Sequence, residues 1–433
     1  MKVHFTTFGC KVNICDTASL SELMRSLGWE TAETASEADV EIVNSCTVTA
    51  NASRKVRTAL RAAKKANPGV ITVLCGCYPQ AYPDEASAIP EADVVTGNTA
   101  LSDIPSLIDE RIAAGTSVRA VKPHQRGERY SLLPEGRDEE HTRAFIKIED
   151  GCSRRCRYCV IPYARGKRRS MPLEEISARC RSAVGSGFRE IVLTGINLSL
   201  AGRDLGFDLA DAVEAAGNSG ADRIRLGSIE PDILTDGELT RISKVKGVCP
   251  HFHMSLQSGC AKTLRAMGRL YTPEDYIKKA EFIRSIFENP VFTTDVIVGF
   301  PGETEQDFME SVSFVSEFGF LKVHVFPYSR RPGTPADSMS GQVSRAEKER
   351  RVHILSDAAD KVRAEKLSSF TGTVETVLTE RLRDGMWHGY TSRYAPAAVP
   401  DSPGIGRNML VSSMVEKLED GVLVMSGGIV SSD

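Results

Sequence analysis

The stretch that decides the fold is Gly151–Gly166, GCSRRCRYCVIPYARG, which follows a short apolar run at Ala144–Glu149. Within it, Cys152, Cys156 and Cys159 form a C-x3-C-x2-C pattern. The apolar run predicts a buried strand, so the three cysteines lie on the loop at its carboxyl end. In α/β folds this end of the sheet is where ligand-binding residues collect.

Three thiols in so short a loop can occupy three corners of a single metal centre. A closed structural zinc site needs four ligands, and no further cysteine or histidine lies at the usual local spacing. A loop with three thiolates leaves one position open, which suits a 4Fe-4S cluster that binds a substrate at its fourth iron. The spacing therefore favours an iron–sulfur cluster, with structural zinc as the alternative.

Further strand patterns follow this loop, with helical segments between them. Including Ala144–Glu149, six strand–helix repeats predict a partial barrel rather than a full eight-fold one. A charged helical stretch, Ser344–Ser368, ends this domain, which we assign to residues 143–368. The other five candidate strands are Glu190–Thr194, Arg223–Ser228, His251–Leu256, Phe292–Val298 and Lys322–Phe326.

The residues before the barrel alternate between apolar runs and helical patterns. This alternation predicts a parallel sheet with crossover helices in an amino-terminal domain at residues 1–118. A polar segment rich in proline and glycine, residues 119–142, predicts a linker. The candidate strands are Val3–Phe8, Val40–Asn44 and Val70–Cys75, and the candidate helices are Asp16–Leu27 and Ala52–Ala66.

Each strand of the amino-terminal domain is followed by a cysteine. Cys10, Cys46 and Cys77 would emerge at one edge of a parallel sheet and could meet at one metal. The alternative is three small buried residues at strand ends. Cys75 competes with Cys77 for the third position, and we favour Cys77 because it lies at the strand end, directly after Gly76.

The tail changes character once more. Residues 369–433 show strand patterns between turn residues and little helix, which predicts a small β-barrel. This tail carries five Lys or Arg residues against eight Asp or Glu residues. The candidate strands are Val374–Leu378, Met386–Tyr390, Met409–Leu418 and Gly421–Ser426.

Composition sets the outer limits on function. The chain has 433 residues and a net charge of −3, which argues against a globally basic nucleic-acid binder. Eleven cysteines are too few for a disulfide scaffold, and no apolar run is long enough to span a membrane. We therefore expect a reducing cytoplasmic location, where cysteines more often bind metals or catalyse reactions than form bridges.

The near-neutral balance hides two windows without any acidic residue. Residues 42–83 and 151–173 together hold thirteen Lys or Arg residues and no Asp or Glu. Both windows contain candidate ligand cysteines. Because positive charge attracts a phosphate backbone as well as an anionic cluster, this distribution favours an RNA partner.

These motifs together resemble the radical S-adenosylmethionine methylthiotransferases. The segment Gly151–Gly166 resembles the signature of that family. The runs Gly9–Asn13 (GCKVN), Asn44–Val48 (NSCTV) and Gly76–Tyr78 (GCY) resemble its amino-terminal domain. The tail resembles its TRAM domain, so the resemblance spans essentially the whole chain.

The resemblance implies two 4Fe-4S clusters. Cys152, Cys156 and Cys159 would hold the cluster that binds S-adenosylmethionine. Cys10, Cys46 and Cys77 would hold an auxiliary cluster that carries the sulfur to be donated. One S-adenosylmethionine would methylate that sulfur, and a second would yield a 5′-deoxyadenosyl radical that abstracts hydrogen from an unactivated carbon. No catalytic residue beyond these ligands is implied.

The resemblance also implies residues that bind S-adenosylmethionine at the ends of the barrel strands. Glu230 and Gln257 are candidate hydrogen-bond partners for its ribose or methionyl end, and Gly195 would let the backbone approach it. The alternative for each is an ordinary turn or cap. The full candidate set is Tyr158, Gly195, Ser228, Glu230, Gln257 and Asp295.

The GCKVN run resembles the group of this family that methylthiolates C2 of N6-threonylcarbamoyladenosine next to the tRNA anticodon. The alternatives are isopentenyladenosine in tRNA, an aspartate of a ribosomal protein, or a non-catalytic RNA-binding protein with structural metal sites. The expected partners are tRNA and a flavodoxin or ferredoxin as electron donor, while the sulfur source is not indicated. We expect the amino-terminal domain and the barrel to turn their strand ends towards one cavity.

Overall fold

The computed structural model describes residues 1–48, 50–136, 141–427 and 429–430. Its first domain is a six-stranded, fully parallel sheet with the order β2-β1-β3-β4-β5-β6. The third strand is buried along its whole length, as its Val- and Ile-rich sequence predicts. The strands are β1 Lys2–Thr7, β2 Glu30–Thr31, β3 Val40–Ser45, β4 Ile71–Gly76, β5 Val94–Thr96 and β6 Val118–Ala120.

Helices cross over between these strands. The first begins at Lys11, five residues before the predicted start at Asp16. The N-cap residue Cys10 has an extended backbone and makes no side-chain cap hydrogen bond, so no capping signal marks this start in the sequence. The helices are α1 Lys11–Ser26, α2 Ala50–Ala66, α3 Cys77–Ala81, α4 Pro83–Ser87 and α5 Ile104–Ala114.

The second domain is the predicted partial barrel, and all of its predicted strands are present. The third one is divided at Gly227 into two short strands. Every pairing between barrel strands is parallel. The barrel strands are β7 Arg143–Lys147, β10 Glu190–Thr194, β11 Arg223–Leu226, β12 Ser228–Ile229, β13 His251–Met254, β14 Val291–Val298 and β15 Lys322–Pro327; a short antiparallel pair, β8 Glu149–Asp150 and β9 Arg169–Ser170, lies beside them.

Four of the barrel helices start at clear sequence signals. Asp208, Thr235, Thr272 and Thr304 each form a capping box with the residue three positions on. Within the described ranges, no helix combines the length and apolarity needed to cross a membrane. The helices are α6 Ile161–Arg165, α7 Leu173–Gly185, α8 Leu209–Gly217, α9 Asp236–Ser243, α10 Ala261–Met267, α11 Pro273–Ile286, α12 Glu305–Phe318 and α13 Arg345–Ser368.

Successive side chains of β7 face, in turn, the hydrophobic core under the helices and the interior of the barrel. Ala144 and Ile146 pack into the hydrophobic core beneath the helices. Side chains of successive strand residues point to opposite faces, so Arg143, Phe145 and Lys147 face the interior. The face of β7 that lines the barrel interior therefore carries charged and aromatic groups.

The third domain is a small β-barrel that docks on the large barrel. Pairing of its first and fourth strands closes the sheet into a ring. Arg225 donates to the carbonyl of Ser392 at 2.9 Å, and Arg223 donates to that of Tyr390 at 3.1 Å. The strands are β16 Val374–Arg383, β17 Met386–Thr391, β18 Pro396–Pro400, β19 Leu410–Glu419, β20 Val422–Met425 and β21 Ile429–Val430; β18 is an addition to the predicted set.

A buried ion network fastens the amino-terminal domain to the large barrel. Arg165, at the end of α6, donates to Asp16 on α1 at 2.8 Å and to Asp150 on β8 at 3.1 Å. Lys147 on β7 also pairs with Asp16. The Arg165 and Asp16 side chains are each only 1% exposed. A buried charge of this kind is tolerable only when its partners are in place.

We predict that Asp16→Asn lowers the stability of the metal-free protein by about 3–5 kcal/mol, because it leaves a buried guanidinium and ammonium without their shared carboxylate. The matched control on the same helix is Glu22→Gln, which removes an exposed pair with Arg25 and should cost about 0.5 kcal/mol or less. The urea midpoints of both variants measure the difference. Equal midpoints would show that the network does not fasten the domains.

Candidate active site

Cys10, Cys46 and Cys77 meet around the side chain of Asn13. The Asn13 Oδ1 atom lies 3.7 Å from Cys10 Sγ and 3.9 Å from Cys77 Sγ. A Cβ atom on Gly9 would approach the Cβ of Cys46 to 3.0 Å, so this chain segment passes directly against Cys46. The three strand-end cysteines, which we call the first triad, are thus brought together at the carboxyl edge of the sheet.

The structure separates Cys77 from its competitor Cys75. Cys75 is fully buried in the hydrophobic core of the sheet. Cys77 begins α3 after Gly76, whose φ of +95° strongly favours glycine. The Cys77 Sγ atom accepts hydrogen bonds from Arg165 Nε at 3.2 Å and Asn98 Nδ2 at 3.6 Å. Burial raises the pKa of the Cys77 thiol to about 11, while the Arg165 charge acts in the opposite direction.

Cys152, Cys156 and Cys159, the second triad, lie together on the loop before α6. Cys152 Sγ accepts from the backbone N–H of Arg154 at 3.4 Å, and Cys156 Sγ accepts from Arg269 Nη1 at 3.3 Å. Burial raises the pKa of Cys152 to about 11 and that of Cys159 to about 12, and the neighbouring thiols add to both shifts. Metal binding at either triad must therefore displace thiol protons.

The two triads share one wall of the protein. The helix that follows the second triad, α6, packs against α3, which carries Cys77. Asn98 Nδ2 donates to the carbonyl of Ala164 on α6 at 2.9 Å, as well as to Cys77 Sγ. Arg165 completes the link, since it ends α6 and contacts Cys77 directly. The strand ends of the two domains therefore lie against each other through α3 and α6.

A buried polar group lies beside Cys152. Glu149 Oε2 accepts from the backbone N–H of Asn197 at 2.8 Å, and a Cβ on Gly195 would approach that oxygen to 2.7 Å. Glu149 Oε1 and Asn197 Oδ1 are buried without a partner among the described residues. Burial raises the pKa of Glu149 well above its usual range. Unpartnered buried polar atoms indicate a ligand that hydrogen-bonds them.

Among the candidate residues for binding S-adenosylmethionine, Glu230 is held by arginines that lie near the second triad. Its carboxylate pairs with Arg269, and Arg154 lies 3.8 Å away. Tyr158 lies beside Cys156, Cys159 and Arg269, and burial raises its pKa well above the usual range. Ser228 is partly buried on β12.

The structure also connects Gln257 and Asp295. Gln257 has a φ of +67°, an unfavourable region for a residue with a side chain. Its N–H donates to the Asp295 carbonyl, and its own carbonyl accepts from Ile297, both at 2.9 Å. The Asp295 carboxylate lies 3.4 Å from His253 Nε2. This strained turn at the end of β13 is therefore fastened to β14.

Several residues at the site escaped sequence reasoning. Arg165 stands inside the quoted signature, where the sequence indicates only its positive charge. Asn13 stands inside the GCKVN run, and Asn98 and Arg269 carry no local motif. Glu149 ends a predicted strand, so its burial beside the cysteine loop follows from that position.

The basic windows are partly neutralised by acids from other segments. On α2, Arg57 pairs with Glu85, Arg61 with Glu91, and Lys64 with Asp93. In the second window, Arg154, Arg165 and Arg169 all have acidic partners. The exposed basic residues of these windows are Arg54, Lys55, Arg61, Lys65, Arg155, Arg157 and Lys167.

Comparison with protein families gives two matches. Residues 2–97 match the uncharacterized protein family UPF0004, and residues 146–315 match the radical SAM superfamily. The first match covers the domain with the first triad, and the second includes the second triad. The two families thus correspond to the parallel-sheet domain and the large barrel.

Curated relatives match almost end to end. A threonylcarbamoyladenosine tRNA methylthiotransferase from Bacillus subtilis is 35% identical over 90% of this chain and 89% of its own. Another from Aquifex aeolicus is 38% identical over 84% of this chain and 89% of its own. A tRNA-2-methylthio-N6-dimethylallyladenosine synthase from Pelotomaculum thermopropionicum is 34% identical over 88% and 87%.

A solved structure shares the fold. The radical S-adenosylmethionine methyltransferase TsrM from Kitasatospora setae has a TM-score of 0.58 and 16% identity, covering 78% of this chain and 77% of its own. At this identity the similarity concerns the fold alone. The curated relatives, at over 30% identity along nearly the whole chain, decide the family. The chain belongs to the radical S-adenosylmethionine methylthiotransferases.

Proposed function

We propose that this protein methylthiolates C2 of N6-threonylcarbamoyladenosine next to the tRNA anticodon. The observation that carries the proposal is the meeting of the two cysteine triads across Arg165, which follows one triad in the chain and hydrogen-bonds a member of the other. The names of the relatives from Bacillus subtilis and Aquifex aeolicus support the choice of nucleoside. The GCKVN run supports it as well.

Each triad fits a 4Fe-4S cluster with one open iron, because it offers three converging thiols and no fourth protein ligand in its motif. Cys152, Cys156 and Cys159 would hold one cluster, and Cys10, Cys46 and Cys77 the other. When bound, the cluster at the second triad would supply the electron that cleaves S-adenosylmethionine, and the cluster at the first triad would supply the transferred sulfur.

Residues around the triads prepare the thiols for their charged form. Arg165 and Asn98 donate hydrogen bonds to Cys77 Sγ, and Arg269 donates one to Cys156 Sγ. Donors of this kind stabilise thiolates in a buried site. Arg165 and Arg269 are themselves buried and neutralised by carboxylates, which fixes their positions.

For S-adenosylmethionine we propose the polar groups around the second triad. Glu149 Oε1 and Asn197 Oδ1 are unpartnered acceptors that suit the α-amino group of the methionyl end. Glu230 and Gln257 lie at the ends of neighbouring barrel strands and would contact the ribose or the methionyl end. Tyr158, Gly195, Ser228 and Asp295 complete the proposed set.

The partner and location follow from the reaction. We propose tRNA as the substrate, a flavodoxin or ferredoxin as the electron donor, and the cytoplasm as the compartment. The exposed arginines and lysines of the two windows, apart from Arg61, which pairs with Glu91, are available to the phosphate backbone.

The first test is product formation by the anaerobically reconstituted protein. With S-adenosylmethionine, reductant and tRNA carrying threonylcarbamoyladenosine, we expect the 2-methylthio nucleoside in a digest analysed by mass spectrometry. tRNA carrying isopentenyladenosine serves as the comparison substrate. Exclusive conversion of that tRNA, or of a ribosomal protein, would contradict the proposed substrate. Zinc binding with no 5′-deoxyadenosine formed would indicate a non-catalytic RNA-binding protein.

The second test separates Cys77 from Cys75. We expect Cys77→Ala to lower the iron content of reconstituted protein from about eight to about four atoms per chain, because it removes one ligand of the first triad. Cys75→Ala, two residues away in the sheet core, should retain about eight. Iron analysis and the visible absorbance measure both variants. Iron loss in Cys75→Ala with retention in Cys77→Ala would reverse the ligand assignment.

A further inference from the structure

A cavity of about 830 Å³ lies where the three domains meet. Lys11 of α1 borders it from the first domain, and Arg143 and Phe145 of β7 border it from the large barrel. The small barrel contributes Tyr390 and Tyr394. None of the six triad cysteines, all of which the structure describes, lines this cavity. Its size is that of a typical ligand pocket.

Lys11 lines this cavity together with the arginines Arg143, Arg381 and Arg407. Its ammonium lies 5.9 Å from the ring centre of Phe145 and, among the described residues, has no ion-pair partner. The two acids nearby are engaged, since Glu380 pairs with Arg143 and Glu190 binds Arg225 at 2.7 Å. A partly buried cation without a counter-ion is unfavourable, so a negatively charged ligand would stabilise this arrangement.

Helix stability does not explain a lysine at this position. Lys11 is the first residue of α1, where a positive charge opposes the helix dipole. The first turn of α1 contains no acidic residue that would offset it. The charge of Lys11 and the positive end of the α1 dipole both favour binding of an anion at this end of the cavity.

Tyr390 and Tyr394 make part of the cavity lining aromatic. The rings of Tyr390 and Tyr394 stack with their centres 4.8 Å apart and their planes 21° apart. Tyr394 has a φ of +62°, and its N–H donates to the Thr391 carbonyl at 2.9 Å. The Arg143 guanidinium lies within about 5 Å of both ring centres. Flat aromatic and guanidinium surfaces are what unstacked RNA bases bind against.

We propose that this cavity receives the modified nucleoside and that Lys11 binds the carboxylate of its threonylcarbamoyl group. The proposal rests on the proposed function and adds how the substrate is chosen. A threonylcarbamoyl group ends in a carboxylate, whereas a dimethylallyl group is an uncharged hydrocarbon. A lysine facing the cavity therefore favours binding of the threonylcarbamoyl group and forms no ion pair with the dimethylallyl group. Lys11 directly follows Cys10, so the bound group would lie beside the first triad.

The experiment uses three anticodon stem-loop RNAs that differ only at the target adenosine. One carries threonylcarbamoyladenosine, one its carboxylate methyl ester, and one unmodified adenosine. Anaerobic fluorescence anisotropy measures the Kd of each for the reconstituted wild-type protein and for Lys11→Met, Lys11→Arg and Lys278→Met. Lys278 is an exposed lysine on α11 and serves as the control. Iron content is measured for every variant.

We expect the wild type to bind the carboxylate RNA roughly tenfold to a hundredfold more tightly than the ester, which is the range of a charge-assisted hydrogen bond. Lys11→Met should lose this preference while its affinity for the ester is unchanged. Lys11→Arg should retain most of the preference, and Lys278→Met all of it.

Other outcomes overturn the proposal. Equal affinity of the wild type for the acid and the ester would exclude carboxylate recognition, even if Lys11→Met fails to fold. Equal weakening of all three RNAs in Lys11→Met would identify a backbone phosphate contact instead. A raised Kd for S-adenosylmethionine alone would assign Lys11 to that ligand's carboxylate. Absence of any methylthiolated nucleoside with the wild type would refute the proposed function separately.

Discussion

The structure depends above all on the burial of one guanidinium, that of Arg165. A charge so deeply buried requires partners in place, and they come from two domains: Asp16 and Asn13 from α1, and Asp150 from β8. The Nε–H group of the same side chain donates to Cys77 Sγ. One side chain therefore sets where the parallel-sheet domain lies on the barrel and places a positive charge beside a thiol of the first triad. The hydrogen bonds of this one side chain therefore both hold the two domains together and stabilise the charged form of the Cys77 thiol.

Much of the fold could be predicted because its strands are buried apolar runs. Glu190–Thr194 has the predicted bounds, and the six barrel strands follow the predicted order. What escaped prediction lacks that signal. Val94–Thr96 is only three residues long, and Pro396–Pro400 begins and ends with proline, which usually argues against a strand. Helix α1 starts earlier than predicted, at Lys11, because its N-cap residue Cys10 has no capping side chain that would mark the start in the sequence.

The candidate site likewise has parts that the sequence predicts and parts that it does not. Local spacing identified the second triad, and strand-end position identified the first, including the choice of Cys77 over the core residue Cys75. The residues that surround the thiols could not be found, since Asn98 and Arg269 reach them only through tertiary contacts. The pairing of charged side chains was the least predictable feature. Arg57, Arg61 and Lys64 lie in a window without acids, yet their partners Glu85, Glu91 and Asp93 stand 28 to 30 residues further on.

The acidic tail shows why net charge is a poor guide to what a domain contributes. Net charge sets the long-range field, whereas a cavity is shaped by a few side chains at its border. The small barrel directs Arg393 inward to Glu375 and the Asn289 carbonyl, so this arginine serves its own docking. Its Glu380 neutralises Arg143, whose guanidinium lies within about 5 Å of the ring centres of Tyr390 and Tyr394. An acidic domain thereby completes a cavity in which Lys11 has no ion-pair partner among the described residues.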